Sequence, residues 1–166
     1  MNDVYWIYED KFIFKPEFNE SIDKYVDVIK NYSQLIFSDY DNLQIFIKIN
    51  NKYLPKYDKN YKESKFNHLL IKTLISLTSL KHLTFSNLYD KLLSNSLDNL
   101  TSLTHLTFGR VFNQPLLNSL NNLICLTHLT FGYNFNKPLE ESLNNLSSLT
   151  HLTFGYNFNQ LPIKFL

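Results

Sequence analysis

Four of the chain's five histidines, His82, His105, His128 and His151, recur at one unvarying interval, a period of 23. Imidazole is the commonest metal ligand and titrates near neutral pH. A column of four therefore raises three readings: a metal site, a recognition surface, or a ladder of rings solvated or stacked on one another. A tetrahedral metal site needs ligands that converge on one point, which a linear ladder does not provide, and no Cys or Glu column accompanies the histidines. Cys125 shares its column with Ser102 and Ser148, as expected of a tolerated small residue in a packed loop. No Asp or Glu column lies in the outward strand positions to orient a histidine as a base. Gly109, Gly132 and Gly155 also share a column. Glycines a whole period apart cradle no phosphate, so a tight bend after a strand is the expected reason for them. Thr127 and Thr130 are three apart and fall on opposite faces of a strand, whereas an ice-binding plane needs both on one. No catalytic residue, cofactor or metal site is expected, and the chain reads as a non-enzyme.

The elements that place these residues follow from an internal repeat. Leu-Thr-His-Leu-Thr-Phe recurs at Leu103–Phe108, Leu126–Phe131 and Leu149–Phe154, with Leu-Lys-His-Leu-Thr-Phe at Leu80–Phe85. Four residues after each final Phe comes an aromatic followed by Asn or Asp: Tyr89-Asp90, Phe112-Asn113, Phe135-Asn136 and Phe158-Asn159. A fixed period over several copies is the mark of a stacked repeat architecture.

The register continues upstream. Phe66-Asn67 lies two periods before Phe112-Asn113, and Phe14 to Phe37 is again one period. From Phe37 to Phe85 the interval is two periods plus two positions, read as two turns, with one irregular turn over 40–65 that cannot be aligned residue by residue. About seven turns are expected, in one continuous solenoid. Residues 1–65 form diverged N-terminal repeats or a cap, and 66–166 form the regular array. Charge follows that division: Lys, Asp and Glu crowd 1–65 and thin out over 66–166.

Within one turn, Leu129 and Phe131 are two apart and point to one side of an extended segment, while His128 and Thr130 point to the other. Phe135 should fold inward as a second apolar layer. Pro138 should end strand pairing, and Leu139, Leu143 and Leu146 should form a short helical return. One turn cannot bury its apolar side alone, so successive turns must stack. The expected fold is an α/β or mostly β repeat solenoid with leucine-rich-repeat-like parallel strands and short helical or irregular returns. In that stack the column Asn19, Asn67, Asn113, Asn136 and Asn159, with Asp41 and Asp90 as looser members, should be structural. A buried carboxamide can donate to one turn and accept from the next.

Phe112-Asn113-Gln114-Pro115, Phe135-Asn136-Lys137-Pro138 and Phe158-Asn159-Gln160-Leu161-Pro162 resemble the FNIP repeat, a leucine-rich-repeat relative. The resemblance is tight over 80–166 and looser at 66–74 and 12–38. It implies a repeat protein of the kind found in amoebae and their giant viruses, with no assigned enzymatic activity. Such proteins often carry an F-box ahead of the repeats. Here the N-terminus shows repeat-like register and no F-box, so the ubiquitin-ligase adaptor role does not carry over directly.

With 16 basic and 15 acidic residues among 166, the chain lacks the basic footprint of a nucleic-acid binder. It has no Ala, one Arg and 21 Asn, a poor composition for a helical bundle. No stretch of about 18 apolar residues suggests a membrane span, the acidic N-terminus is unlike a secretory signal, and a lone Cys125 forms no internal disulfide. An intracellular, cytoplasmic protein without membrane or nucleic-acid partners is expected.

The residues expected to meet a protein partner are those of the strand face, the concave side of such solenoids: His105, Thr107, Arg110, His128, Thr130, Tyr133, His151, Thr153 and Tyr156. Arg and Tyr are enriched at interface hot spots. The alternatives are a ubiquitin-ligase substrate adaptor without a recognisable F-box, and a self-assembling structural protein that pairs end to end. The second rests on Leu149–Phe154 as an uncovered last turn whose strand edge is free to pair.

Overall fold

The computed structural model describes residues 4–49, 61–70, 73–139 and 141–160. Every short extended segment of the repeat becomes a strand of one sheet. The strands are β1 (Tyr5–Tyr8), β2 (Lys11–Phe14), β3 (Gln34–Phe37), β4 (His82–Thr84), β5 (His105–Thr107), β6 (His128–Thr130) and β7 (His151–Thr153), and they lie in that order. β1 and β2 form an antiparallel hairpin, and all later steps are parallel. His82, His105, His128 and His151 pair in register, as do the leucines and threonines that follow them. Each His-Leu-Thr strand turns its leucine inward. Leu83, Leu106 and Leu129 are buried, while their neighbouring His and Thr are half-buried on the opposite face. The architecture is a leucine-rich-repeat-like solenoid.

Two columns of stacked rings fill the interior. Phe14, Phe37, Phe85, Phe108, Phe131 and Phe154 form one, with centroid steps of 5.3, 6.4, 5.4, 5.5 and 5.6 Å. Phe18, Phe66, Tyr89, Phe112, Phe135 and Phe158 form the second, and Phe135 stacks on Phe131 of its own turn at 4.0 Å. Offset-stacked pairs in this range add to the burial of large apolar area. The return segments bury Leu116, Leu120, Leu123, Leu139, Leu143 and Leu146 beneath them.

The interval from Phe37 to Phe85 differs from its expected layout. β3 pairs directly with β4, so the interval holds one step of the sheet plus an insertion slightly longer than one period, not two turns. The extra chain leaves after Phe37 and rejoins at Phe66, where Phe37 and Phe66 stack at 3.9 Å like the within-turn pairs elsewhere. It carries helix α2 (Leu43–Ile49), capped by Asn42 Oδ1 accepting from the Gln44 and Ile45 amides. Helix α1 (Val26–Ile29) belongs to the first return. Tyr40 and Phe46 lie on Ile13 and Ile36, the outward residues of β2 and β3, in a second apolar cluster with Trp6, Tyr8, Leu43 and Tyr61. The insertion thus covers the outer face of β2 and β3. Of the stretch 40–65, residues 50–60 lie outside the described residues, as do 161–166 beyond the last turn.

Three local expectations change. The returns at 116–126 and 139–149 are successive tight turns with bonds of the Leu123 amide to Leu120 and the Leu146 amide to Leu143, not helices. The glycine column does not serve a left-handed bend, since no glycine has positive φ. It serves close approach: a Cβ on Gly109, Gly132 or Gly155 would lie 1.8, 1.9 or 2.1 Å from a carbonyl oxygen of the preceding turn. Cys125 is exposed instead of packed.

The asparagine column is half right. The backbone amides of Asp90, Asn113, Asn136 and Asn159 donate to Oδ1 of Asn67, Asp90, Asn113 and Asn136 at 2.9–3.0 Å. Each side chain accepts from the next turn and is half-buried, so an aspartate serves as well as an asparagine. Asn19 and Asp41 stand outside this ladder. Asn19 is exposed, and Asp41 sits in the insertion, paired with Lys62 at 3.3 Å.

Candidate functional site

The outer face of β4–β7, beyond the β2–β3 surface on which the described part of the insertion packs, carries two parallel columns. The first is the imidazole ladder. Its rings stack at 4.2, 4.2 and 4.1 Å, with interplanar angles falling from 28° to 8° and 6° along the array. His82, His105 and His128 are half-buried and His151 is exposed, so the rings face one another as well as water. Beneath them the hydroxyls of Thr104, Thr127 and Thr150 donate to the carbonyls of Lys81, Thr104 and Thr127 at 3.0–3.1 Å. A threonine hydroxyl has one proton. The Nδ1 atoms of His105, His128 and His151, 2.8–2.9 Å from the same oxygens, must therefore donate to them. Their Nε2 atoms are left as a row of acceptors. Near-parallel rings send those lone pairs out side by side, and no metal at about 2.0–2.1 Å from each nitrogen can lie in both ring planes. Among the described residues no group of three or more His, Cys, Asp and Glu gathers to hold a metal ion.

Burial, and then the neighbouring imidazole, holds the pKa of His82 below its usual value; Lys11 and Lys81 add to this and Asp10 opposes it. His105 is lowered by burial and then by His128 and His151.

The second column is Asn87, Arg110, Tyr133 and Tyr156, again one period apart. The Arg110 guanidinium lies 5.8 Å from the Tyr133 ring centroid, and Tyr133 stacks on Tyr156 at 5.3 Å and 10°. Asn87 Oδ1 accepts the Arg110 backbone amide, which anchors the column to the turn before it. Tyr133 is 46% and Tyr156 82% exposed, far above the aromatics of the interior. Together with Thr107 and Thr130 these side chains line a groove of about 570 Å³.

Asn87, Thr107 and Phe108 also border a smaller cavity of about 190 Å³, closed on its other side by Ser38, Asp39, Tyr40 and Phe46 of the insertion. Asp39 Oδ1 accepts the Ser64 amide at 2.8 Å. Burial pushes the Asp39 carboxyl up to about 7; backbone donors at Ser64 and Asn87 oppose the rise and Glu63 adds to it.

Of the residues singled out from sequence, Thr107, Arg110, Thr130, Tyr133 and Tyr156 come together around the larger groove. His105, His128 and His151 lie on the same open face but form the separate ladder, and Thr153 is exposed on β7 beside it. Sequence reasoning missed Asn87, Asp39, Tyr40 and Phe46. The spacing of one period to Arg110 was a signal for Asn87. Nothing in the periodicity marked the other three, which the insertion supplies.

No family model and no curated protein matches this chain. Among solved structures it is similar to an internalin (inlF) from Listeria monocytogenes, with 18% identity over 93% of this chain and 49% of that one, at a TM-score of 0.50. That likeness agrees with the solenoid fold. It is also similar to CroV588, a circular leucine-rich-repeat protein of a giant virus, with 31% identity over 96% of this chain and 26% of that one, at a TM-score of 0.49. The chain thus spans about a quarter and about half the length of these two neighbours. Among the described residues no helix is long and apolar enough to cross a membrane.

Proposed function

We propose that this chain is a non-enzymatic repeat scaffold that binds a protein partner across the open face of β4–β7. The observation that carries the reading is the Arg110–Tyr133–Tyr156 column. Two exposed tyrosines and the chain's one arginine, half-buried, are stacked and lined along a groove, although the fold does not need them in its interior. Such rigid amphipathic side chains, ordered before binding, lose little entropy when a partner covers them, and Tyr and Arg dominate interface energetics. The imidazole ladder and Thr107, Thr130 and Thr153 would form the polar flank of the same surface. The FNIP-type resemblance of Phe112–Pro115 and Phe135–Pro138, and a location inside the cell, belong to this reading as well.

The test is affinity capture from the native cell with three baits: the wild type, the triple variant Arg110→Ala/Tyr133→Ala/Tyr156→Ala, and a control with exposed Leu117 and Ile124 of the returns changed to Ser. The expected result is one partner captured by the wild type and the control and lost by the triple variant, with unchanged thermal stability in all three. Loss by the control alone would place binding on the returns and overturn the reading. Capture of ligase scaffold subunits through the same three residues would instead identify the adaptor role.

A further inference from the structure

The small cavity between the insertion and β3–β5 is lined by one carboxyl side chain, Asp39, that no cation among the described residues meets. Asp39 takes part in no ion pair among the described residues. Lys62 donates its backbone amide to the Asp39 carbonyl but sends its ammonium to Glu17 and Asp41, at 2.6 and 3.3 Å. The remaining walls include Ile36, Tyr40, Phe46 and Phe108. A carboxylate in such a wall is costly unless a cation meets it. At about 190 Å³ the cavity lies below the roughly 300 Å³ at which pockets for free small ligands begin, and it is on the scale of a single anchoring side chain.

We infer that this cavity is the anchor site for one lysine side chain of the protein partner, its ammonium meeting the Asp39 carboxylate and its methylenes lying along Tyr40, Phe46 and Phe108. The inference rests on the partner-binding reading above and names the chemistry at one end of that surface. Charge complementarity selects a cation. The donors already on the carboxylate select between the two basic side chains: with the Ser64 amide on Oδ1 and the Asn87 amide donating to the same group, no clear pair of acceptor positions remains for the two-pronged guanidinium of arginine, whereas an ammonium is a point charge that one remaining lone pair can receive. The cavity shares Asn87, Thr107 and Phe108 with the larger groove, so one partner segment can seat a lysine here and cover Arg110 and Tyr133 beyond. Protonation of Asp39, whose carboxyl is pushed up to about 7 with Glu63 the other acid acting on it, makes the anchor weaker in acid. Besides Glu63, the other titratable side chain among the described residues lining the cavity is Tyr40.

The test uses amide NMR of the whole protein titrated with Nα-acetyl-lysine methylamide, its Nε-acetylated form and the arginine equivalent, on wild type and Asp39→Asn. Asparagine keeps an acceptor oxygen for the Ser64 amide while removing the charge and replacing the second carboxylate oxygen by an amide nitrogen; unshifted spectra away from the site check that the variant keeps its fold. The expected result is a saturable shift at Ser64 and Asn87 with the free lysine probe, weakened about tenfold or more by Asp39→Asn. The same weakening is expected on acetylating the probe and on lowering the pH from 8 to 5. Equal shifts in wild type and variant, equal response to the acetylated probe, or stronger binding of the arginine probe would each overturn the proposal. None of these results bears on partner capture through Arg110, Tyr133 and Tyr156, so the two readings fail separately.

Discussion

Gly132→Ala adds one methyl group at the tightest kind of contact in the molecule. An ideal Cβ there would sit 1.9 Å from the carbonyl oxygen of Gly109, against the 3.0 Å that real Cβ atoms respect, so the two turns must part by about 1.1 Å (3.0 − 1.9). Parallel strands sit about 4.8 Å apart, and the flanking bonds of the His128 amide to Thr104 and the Asn134 amide to Arg110, 3.0 and 2.9 Å, hold that pitch on both sides of the glycine. Overpacking costs about 1–3 kcal/mol where side chains can yield. The obstacle here is backbone, so roughly 3–5 kcal/mol is expected, less about 0.4–1 kcal/mol from the lower entropy of the unfolded alanine chain. The net loss of about 3 kcal/mol should lower Tm by roughly 6–12 °C for a chain of this size. Urea unfolding followed by circular dichroism, with a thermal melt on the same samples, measures both. Gly155→Ala should cost less. Among the described strands β7 pairs only with β6, so its turn can tilt away from the 2.1 Å contact. A Gly132→Ala stability within about 0.5 kcal/mol of wild type, or a larger loss at Gly155, would refute close approach as the reason for the column.

Asn136→Ala should destabilise by about 0.5–1.5 kcal/mol, because the Asn159 amide loses its acceptor. Asn136→Asp should be nearly neutral at pH 7, as Asp90 already fills that role in the same column; paired urea curves decide, and equal losses for both variants would end the acceptor-only account. Tyr89 places a hydroxyl in a column otherwise made of phenylalanine, and that oxygen is buried without a hydrogen-bond partner among the described residues. Tyr89→Phe should therefore raise stability by about 1–2 kcal/mol, and a fall in Tm would show that the hydroxyl is satisfied. The pH profile combines two opposing slopes. His82 and His105, lowered in the folded state, contribute stability that is full above the unfolded value of about 6.5 and is lost as pH falls through their folded values. Asp39, raised to about 7, acts in the opposite sense: the folded state holds its proton between about 4 and 7 while the unfolded chain has released it, so its contribution shrinks as pH rises through that window. Asp39→Asn should thus steepen the loss of stability between pH 7 and 5, and His82→Gln/His105→Gln should flatten it. Melts at half-unit steps read both, and identical profiles for the three proteins would refute the assignment.

The fold was largely legible because the period is strict where selection on packing repeats itself. Inward Leu106 and Leu129, the paired aromatic columns and the outward His and Thr all follow from alternation along a strand and a constant step from turn to turn. The insertion was not legible, for an arithmetical reason with a physical basis. Its length nearly equals one period, so Phe37 to Phe85 imitates two turns, and only the pairing of β3 with β4 separates the cases. The glycine column was visible, but spacing alone does not distinguish a bend from a close contact, since both exclude Cβ. In the asparagine ladder Asp90 was a clue left unused: a residue that cannot donate from its charged side chain marks the whole column as accepting. Arg110, Tyr133 and Tyr156 were legible as a column. The cavity at Asp39 was not, because its walls come from chain segments that share no register.

The ladders linking each turn to the next have a consequence for how this chain can change its length. The contacts across the β5–β6 step recur across β6–β7, from the imidazole stack to the asparagine acceptors. Excising one whole copy between equivalent points, such as 109–131, would splice Phe108 onto Gly132 and bring matching partners face to face. Removing half a copy would leave every column addressing the wrong neighbour. A polypeptide so built is free to grow or shorten by whole copies, and its open strand face lengthens or shortens with it in the same indivisible step.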